Sequence, residues 1–381
     1  MSLLSRLSLP LSIFVASSGL LVAQSEMVCD PVGFNKIPCP TNSDTIVGVP
    51  LRAKGSQKAT LSALPDTTTL PGSAILSVAG SPGWTVDAYA GTHYVKFTSG
   101  AKDGAFYAVT ANSADTLTVD LNGDDVSTVL ATDTILLAEY WTLDTLFPPA
   151  DATTSWGAAP DYAPDGHAIV TSTSTSALTR KTQILLPATT SSGINLAPNL
   201  ICYILSSSEW RIGTGTLPSD AATPGDIKLQ PDTYFIIRHP ASVSYATVYV
   251  ALGEVEMGNV AIPLSTLTAG PQDNFIAILR PINTRLDALN LGGTTAFVTS
   301  LGTSALQRRD QLLVFDNTVA ARNKSPSAIY CYYGGNWRNA TGGAISDAVV
   351  IPGGAGFIIR KYKTSDGATV FWTNPPTYTN L

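Results

Sequence analysis

Three histidines, one Ser-x-x-Lys tetrad and one tight run of carboxylates are the residues of this chain whose types could do chemistry. His93, His167 and His239 are dispersed, and none stands at metal-ligand spacing from another His, Cys or carboxylate. His93 falls on the apolar face of an alternating stretch, where a packed histidine belongs. A Ser–His–Asp triad assembles in space rather than along the chain, but no Gly-x-Ser-x-Gly elbow occurs. Ser99-Gly100-Ala101-Lys102 has a spacing that lets a lysine take a serine proton. The Ser-Asp-Asn and Lys-Thr-Gly elements that accompany it in penicillin-reactive enzymes are missing. The chain therefore reads as non-enzymatic, with a hydrolase whose site assembles in space as the last alternative.

Asp120, Asn122, Asp124 and Asp125 lie together in DLNGDD. Calcium takes oxygen-rich turns of this kind, but the twelve-residue loop with a terminal Glu is absent. The competing reading is an Asn-Gly hairpin carrying solubilising carboxylates. No other cofactor is implied. Trp210-Arg211 and Trp337-Arg338 recur as a pair. As a binding device the indoles would stack on sugar faces while the guanidinium groups donate hydrogen bonds; separately, Tyr332, Tyr333, Trp372 and Tyr378 would form an adhesive or assembly patch. As a structural device each Trp fills a core, and that reading is favoured because core positions are what a repeat retains. Cys29 and Cys39 are ten apart and would close a short loop as a disulfide, contributing roughly 2–3 kcal/mol in an oxidising compartment. Cys202 and Cys331 occupy adjacent rather than identical repeat positions, so on equivalent strands they face opposite sides.

The elements that must position these residues are short and β-forming. Ala168–Gln183 (AIVTSTSTSALTRKTQ) recurs 128 positions later as Ala296–Gln311 (AFVTSLGTSALQRRDQ), with ten of sixteen residues identical. The match continues through Phe235–Arg238 and Phe357–Arg360, and Leu143–Leu146 resembles Leu286–Leu289. Such repetition favours scaffold or binding roles. Asp44–Val49 (DTIVGV) resembles Asp273–Ile278 (DNFIAI) just ahead of the second copy. His93–Thr98 and Thr116–Leu121 alternate, and with Phe106–Thr110 they predict a small antiparallel barrel or sandwich over 70–141, inserted into the N-terminal repeat. Residues 148–166, rich in Pro, Ala and Asp, read as a linker or loop. The best helical stretch is Thr284–Leu289, one or two turns.

Residues 1–25 read as a signal peptide, with Arg6 ahead of an apolar run and Ala23-Gln24-Ser25 as the cleavage site. No later stretch reaches the about twenty apolar residues of a membrane-spanning helix. A net charge of −6 with only 13% charged residues argues against a nucleic-acid partner. A 44% hydrophobic content supplies a core.

CDPVGF, HYVKFTSG, YWTLDTLFP, RRDQLLVFDN, NKSPSAIYCYYGGNWR and GFIIRKY, in that order, resemble an uncharacterised family of exported bacterial proteins. The resemblance implies a β-rich protein of the cell surface and carries no activity or catalytic residue. The resulting expectation is an all-β, multidomain protein. It has an N-terminal β module over 26–142 and two tandem β-sandwich-like repeat units over 143–270 and 271–381. The expected role is structural or adhesive at the cell exterior, through association with itself or with other surface components. A polysaccharide-binding protein using exposed aromatics is the alternative.

Overall fold

The computed structural model describes residues 31–149, 168–205 and 209–378. The expected leader, Cys29, His167 and the 148–166 segment from residue 150 onward lie outside the described residues. β1 (Val32–Cys39) and β2 (Ser43–Val47) come first, joined by a turn in which Asn42 takes a left-handed backbone. The chain then leaves for a separate module. It contains β3 (Gln57–Thr60), β4 (Ser73–Ser77), β5 (His93–Phe97), β6 (Phe106–Asn112), β7 (Thr116–Asp120) and β8 (Thr134–Glu139). These pair in the order β3-β8-β5-β6-β7-β4. Leu61 bridges Val78, and Ala79 N donates to Thr60 O at 2.9 Å, so the two edge strands meet at their ends. The sheet is thus a partly closed antiparallel barrel, filled by Val95, Phe97, Val109, Leu117, Val119 and Ile135. Alternating residues supply that interior, as the sequence pattern requires.

From the barrel the chain returns through β9 (Trp141–Thr142) and the single-turn α1 (Leu143–Leu146), whose N-terminus is closed by the Thr142 and Thr145 side chains. There follow β10 (Gln183–Leu186), β11 (Leu200–Leu205), β12 (Glu209–Thr214), β13 (Lys228–Leu229), β14 (Phe235–His239) and β15 (Thr247–Glu254). A five-stranded sheet forms in the order β12-β11-β10-β14-β2, and the pairs β1-β15 and β9-β13 lie across its core. The second unit uses β16 (Val260–Leu264), β17 (Gln272–Ala277), β18 (Thr284–Arg285), β19 (Gln311–Val314), β20 (Ala328–Tyr333), β21 (Asn336–Asn339), β22 (Val350–Ile351), β23 (Gly356–Lys361) and β24 (Val370–Asn374). Its sheet order β17-β23-β19-β20-β21 and its pairs β16-β24 and β18-β22 match those of the first unit strand for strand. Leu286–Leu289 is a 3-10 turn in the place of α1, which corrects the helix expected there.

The protein is therefore all-β and multidomain, with sandwich-like units. The expected unit boundaries move, because hydrogen bonding across strands outweighs order along the chain. β1 and β2 pair with β15 and β14, so residues 32–47 belong with the first repeat rather than with an N-terminal module. β16 pairs with β24, so the second unit begins near residue 260 rather than 271.

The two five-stranded sheets pack face to face over Ile46, Tyr234, Phe275, Ala277, Leu313 and Ile358. Contacts across this face are reciprocal. Asp44 pairs with Arg238 at 2.7 Å, and Arg238 also donates to Asn323 of the second unit. Asp273 pairs with Arg360 at 2.6 Å, and Arg360 also donates to Asn195 of the first unit. Asn323 N donates to Asp44 and Asn195 N to Asp273, at 2.7 and 2.8 Å. Both asparagines hold left-handed backbones, a conformation Asn tolerates better than most residues. Where the units come closest, a Cβ on Gly48 would lie 2.0 Å from that of Ala277, its counterpart in the second unit. Only one of the two matching positions can carry a methyl group there.

Candidate functional site

The tryptophans proposed for sugar stacking or for the adhesive patch are core residues. Trp210 is 4% exposed, Trp337 1% and Trp372 0%. Trp337 packs on Phe297 with ring centres 5.0 Å apart, and Trp372 Nε1 donates to Leu289 O at 3.0 Å. An indole so placed has no face for a ligand, which corrects the stacking role in favour of the structural one. Arg211 pairs with Glu209 on β12. Arg338 donates to Gly343 O at 3.1 Å and lies over the Tyr333 ring, and Tyr332 Oη donates to Gly335 O at 3.0 Å. Only Arg211 and Tyr333 are exposed, and they belong to different units.

The DLNGDD carboxylates are each committed to local bonds. Asp120 accepts from Asn122 N at 2.9 Å, and Asn122 and Gly123 are the left-handed corners of a turn closed by Asp124 N donating to Leu121 O at 2.9 Å. Asp124 accepts from Lys102 Nζ at 2.7 Å and from Tyr107 Oη at 2.6 Å. Asp125 accepts from Ser127 N and Oγ, both at 2.8 Å. No group of three His, Cys, Asp or Glu able to hold a metal occurs among the described residues. A surface turn with locally bonded carboxylates accounts for all four positions, but it is not the expected hairpin, because β7 pairs with β4 and β6 while β8 pairs with β3 and β5. Lys102 is thereby taken from Ser99, whose Oγ accepts from Thr134 N at 2.8 Å. Cys39 is buried, which pushes its thiol up to about 12; Cys29, its expected disulfide partner, lies outside the described residues. Cys202 lies in the first unit's core, and the matching position in the second unit, Tyr330, lies in the second core. Cys331 points away from that core, as the alternation requires.

A buried charge network that the sequence did not reveal joins the barrel to both units. Lys96 Nζ lies 2.6 Å from Glu256, and Arg52 lies 3.3 Å from Glu256 and 3.6 Å from Glu254. Arg280 donates to Glu256 O at 2.9 Å and to Asn374 Oδ1 at 2.9 Å. Burial holds the Lys96 ammonium below its ordinary pKa, against the raising effect of Glu256. Arg52, Lys96, the Glu254–Glu256 stretch and Arg280 come from four separate parts of the chain, so no local spacing signals them.

The exposed feature common to both units is a turn. Thr179 N donates to Ser176 O at 3.0 Å, and at the matching positions Gln307 N donates to Ser304 O at 2.9 Å. Each turn has Ala-Leu at its corners, Ala177-Leu178 and Ala305-Leu306. Leu178 is 92% exposed and Leu306 99%. Turn corners prefer Gly, Asn, Asp, Ser or Pro for definite conformational reasons, so a leucine at a corner breaks a local rule without gaining any packing. A single exposed leucine is unremarkable; the same exposure at matching positions of the best-retained block is not.

Each turn stands on a matched base. Lys181 N donates to Ser172 Oγ and Arg309 N to Ser300 Oγ, both at 3.0 Å. Ser172 N donates to Ile204 O and Ser300 N to Tyr332 O, both at 2.8 Å. The cation–ring contacts beside the turns differ between the units: Arg180 lies over the Tyr203 ring at 4.9 Å, whereas Arg309, the match of Lys181, lies over Tyr362 at 4.4 Å. In the second unit Leu301, 62% exposed, stands beside Leu306 because Leu301 N donates to Gln307 O at 2.9 Å. The sequence shows this block as the strongest repeat, but the exposure of its leucines is not legible there.

The two tips leave from opposite ends of the paired sheets. Asn195 follows the end of β10 and reaches Arg360, which pairs with Gln311 at the start of β19. Asn323 follows the end of β19 and reaches Arg238, which pairs with Gln183 at the start of β10. β10 and β19 thus run in opposite directions across the interface, and the turns that feed them diverge. No helix among the described residues is long and apolar enough to cross a membrane. No protein-family model matches the chain, and no curated protein or solved structure is detectably similar to it.

Proposed function

We propose that this is a non-catalytic linking protein of the cell exterior, in which the two repeat units present equivalent apolar tips at opposite ends and join copies of the chain. The observation that carries the reading is the matched exposure of Leu178 and Leu306 on turns whose framework is otherwise the same. Burying one leucine returns about 2 kcal/mol, far less than the about 8 kcal/mol of a micromolar complex. A leucine alone does not hold two copies together, so a linking contact buries more of each turn than its leucine. Export and surface location rest on the leader-like first 25 residues and on the low charge.

Sedimentation over a concentration series, with Leu178→Ser, Leu306→Ser and the double variant, tests the reading through valency. The expected result is open-ended growth for the parent protein, no species beyond a dimer when one tip is lost, and a monomer when both are lost. Growth unaltered in the double variant would refute tip-to-tip linkage.

A further inference from the structure

We propose that the first unit carries a binding site for a neutral sugar. The site is a cleft of about 340 Å³ beside β13 and the start of β14, and it is separate from the tips and from the tryptophans. Its volume is at the lower end of small-molecule sites and suits one or two sugar rings. The floor is apolar, made by Leu186, Leu200, Ile227, Leu229 and Phe235. The rim is neutral and polar: Thr189, Thr190, Asn199, Thr216 and Gln230, with Tyr234 on the wall. Thr216 is brought to the rim by Gly215, which has φ +92° and passes so close that a Cβ would lie 2.5 Å from Asn199 O. Only glycine suits that backbone and that approach.

None of these six side chains hydrogen-bonds another side chain or the backbone among the described residues, so their hydroxyl and amide groups are open to a ligand. The rim charges cancel, because Lys228 Nζ pairs with Asp220 at 2.7 Å and lies over the Tyr140 ring at 5.5 Å. That pairing also holds the Asp220 carboxyl below its ordinary pKa. A ligand with net charge gains nothing from such a rim. A polyol with one apolar face matches both the hydroxyl-rich rim and the greasy floor.

The second unit serves as an internal control. It has the same strands, yet Gln230, Thr233 and Tyr234 are matched by Pro352, Ala355 and Gly356. Thr189 is matched by Asn317, whose amide is spent on Ile46 N and O, both at 2.9 Å. Thr190 and Asn199 are matched by Thr318 and Ser327, so the polar side chains particular to the first unit's cleft are those of Gln230 and Tyr234, and the fold does not require these two.

The experiment is titration of the full chain with glucose, galactose, N-acetylglucosamine and lactose, followed by calorimetry or by protein NMR shifts. Glucuronate and glucosamine are the charged comparators. The expected result is saturable binding of at least one neutral sugar, weakened about tenfold in Gln230→Leu and again in Tyr234→Phe, each of which removes one hydrogen bond. Leu178→Ser with Leu306→Ser should leave it unchanged, which separates this site from the linking role. Circular dichroism and thermal melts show that each variant is folded, and Thr216→Val supplies a further probe distant from the unit interface. No saturation by any neutral sugar, equal binding of the charged comparators, or affinity unaltered across the folded variants would each overturn the proposal.

Discussion

Beneath the two tips, one buried polar position is filled by different chemistry in each unit. In the first, Val170 N donates to Thr182 Oγ1 at 3.0 Å, and His239 lies between Thr182 and Thr247 at 3.3 and 2.8 Å. In the second, Val298 N donates to Asp310 at 2.7 Å, and Asp310 pairs with Lys361. Burial pushes His239 down to about 4, against about 6.5 in an unfolded chain. Between those values the unfolded chain binds more protons, so stability falls as pH drops through the window. The expected loss is about 2 kcal/mol between pH 7 and pH 5. Denaturant melts of the parent and of His239→Gln check it: the variant should lose that slope, and an unchanged slope would place the titrating group elsewhere. His239 is thus a fully packed histidine. The Asp310–Lys361 pair was not legible, because its partners meet only when β19 and β23 align.

At the scale of elements, the face between the five-stranded sheets makes its contacts twice, so its energetics should come in pairs. Arg238→Ala and Arg360→Ala each strand a nearly buried carboxylate, Asp44 or Asp273. Each should destabilise by about 3–5 kcal/mol, and equilibrium unfolding should give like values for the two. A loss in one with none in the other would contradict the reciprocity. Gly48→Ala should cost about 1–3 kcal/mol through overpacking against Ala277. Adding Ala277→Gly, which moves the methyl to the other side of the interface, should restore most of the loss; thermal melts of the single and double variants read this out. Strand identity was largely legible, since DTIVGV and DNFIAI resemble one another and become β2 and β17. Their pairing was not, because β2 joins β14 across the whole inserted barrel, and no local pattern encodes so distant a partner. The same reason explains the misplaced unit boundaries and the unseen network around Arg52, Lys96, Glu256 and Arg280.

At the scale of the whole molecule, the barrel and the two units are tied by buried charges, while the tips point away from one another. The tryptophans are legible from the repeat, which favours a core over a sugar platform, and the burial of Trp210 and Trp337 agrees. The tips are not legible, since nothing in a strongly retained Ser/Thr-rich block shows that its leucines are nearly bare. The most direct measurement is electron microscopy of the purified protein across a concentration series, alongside the Leu178→Ser, Leu306→Ser double variant. Linear or sheet-like assemblies that lengthen with concentration in the parent protein and vanish in the variant are the expected result. Dispersed single particles at every concentration, or identical assemblies in both proteins, would contradict linkage through the tips.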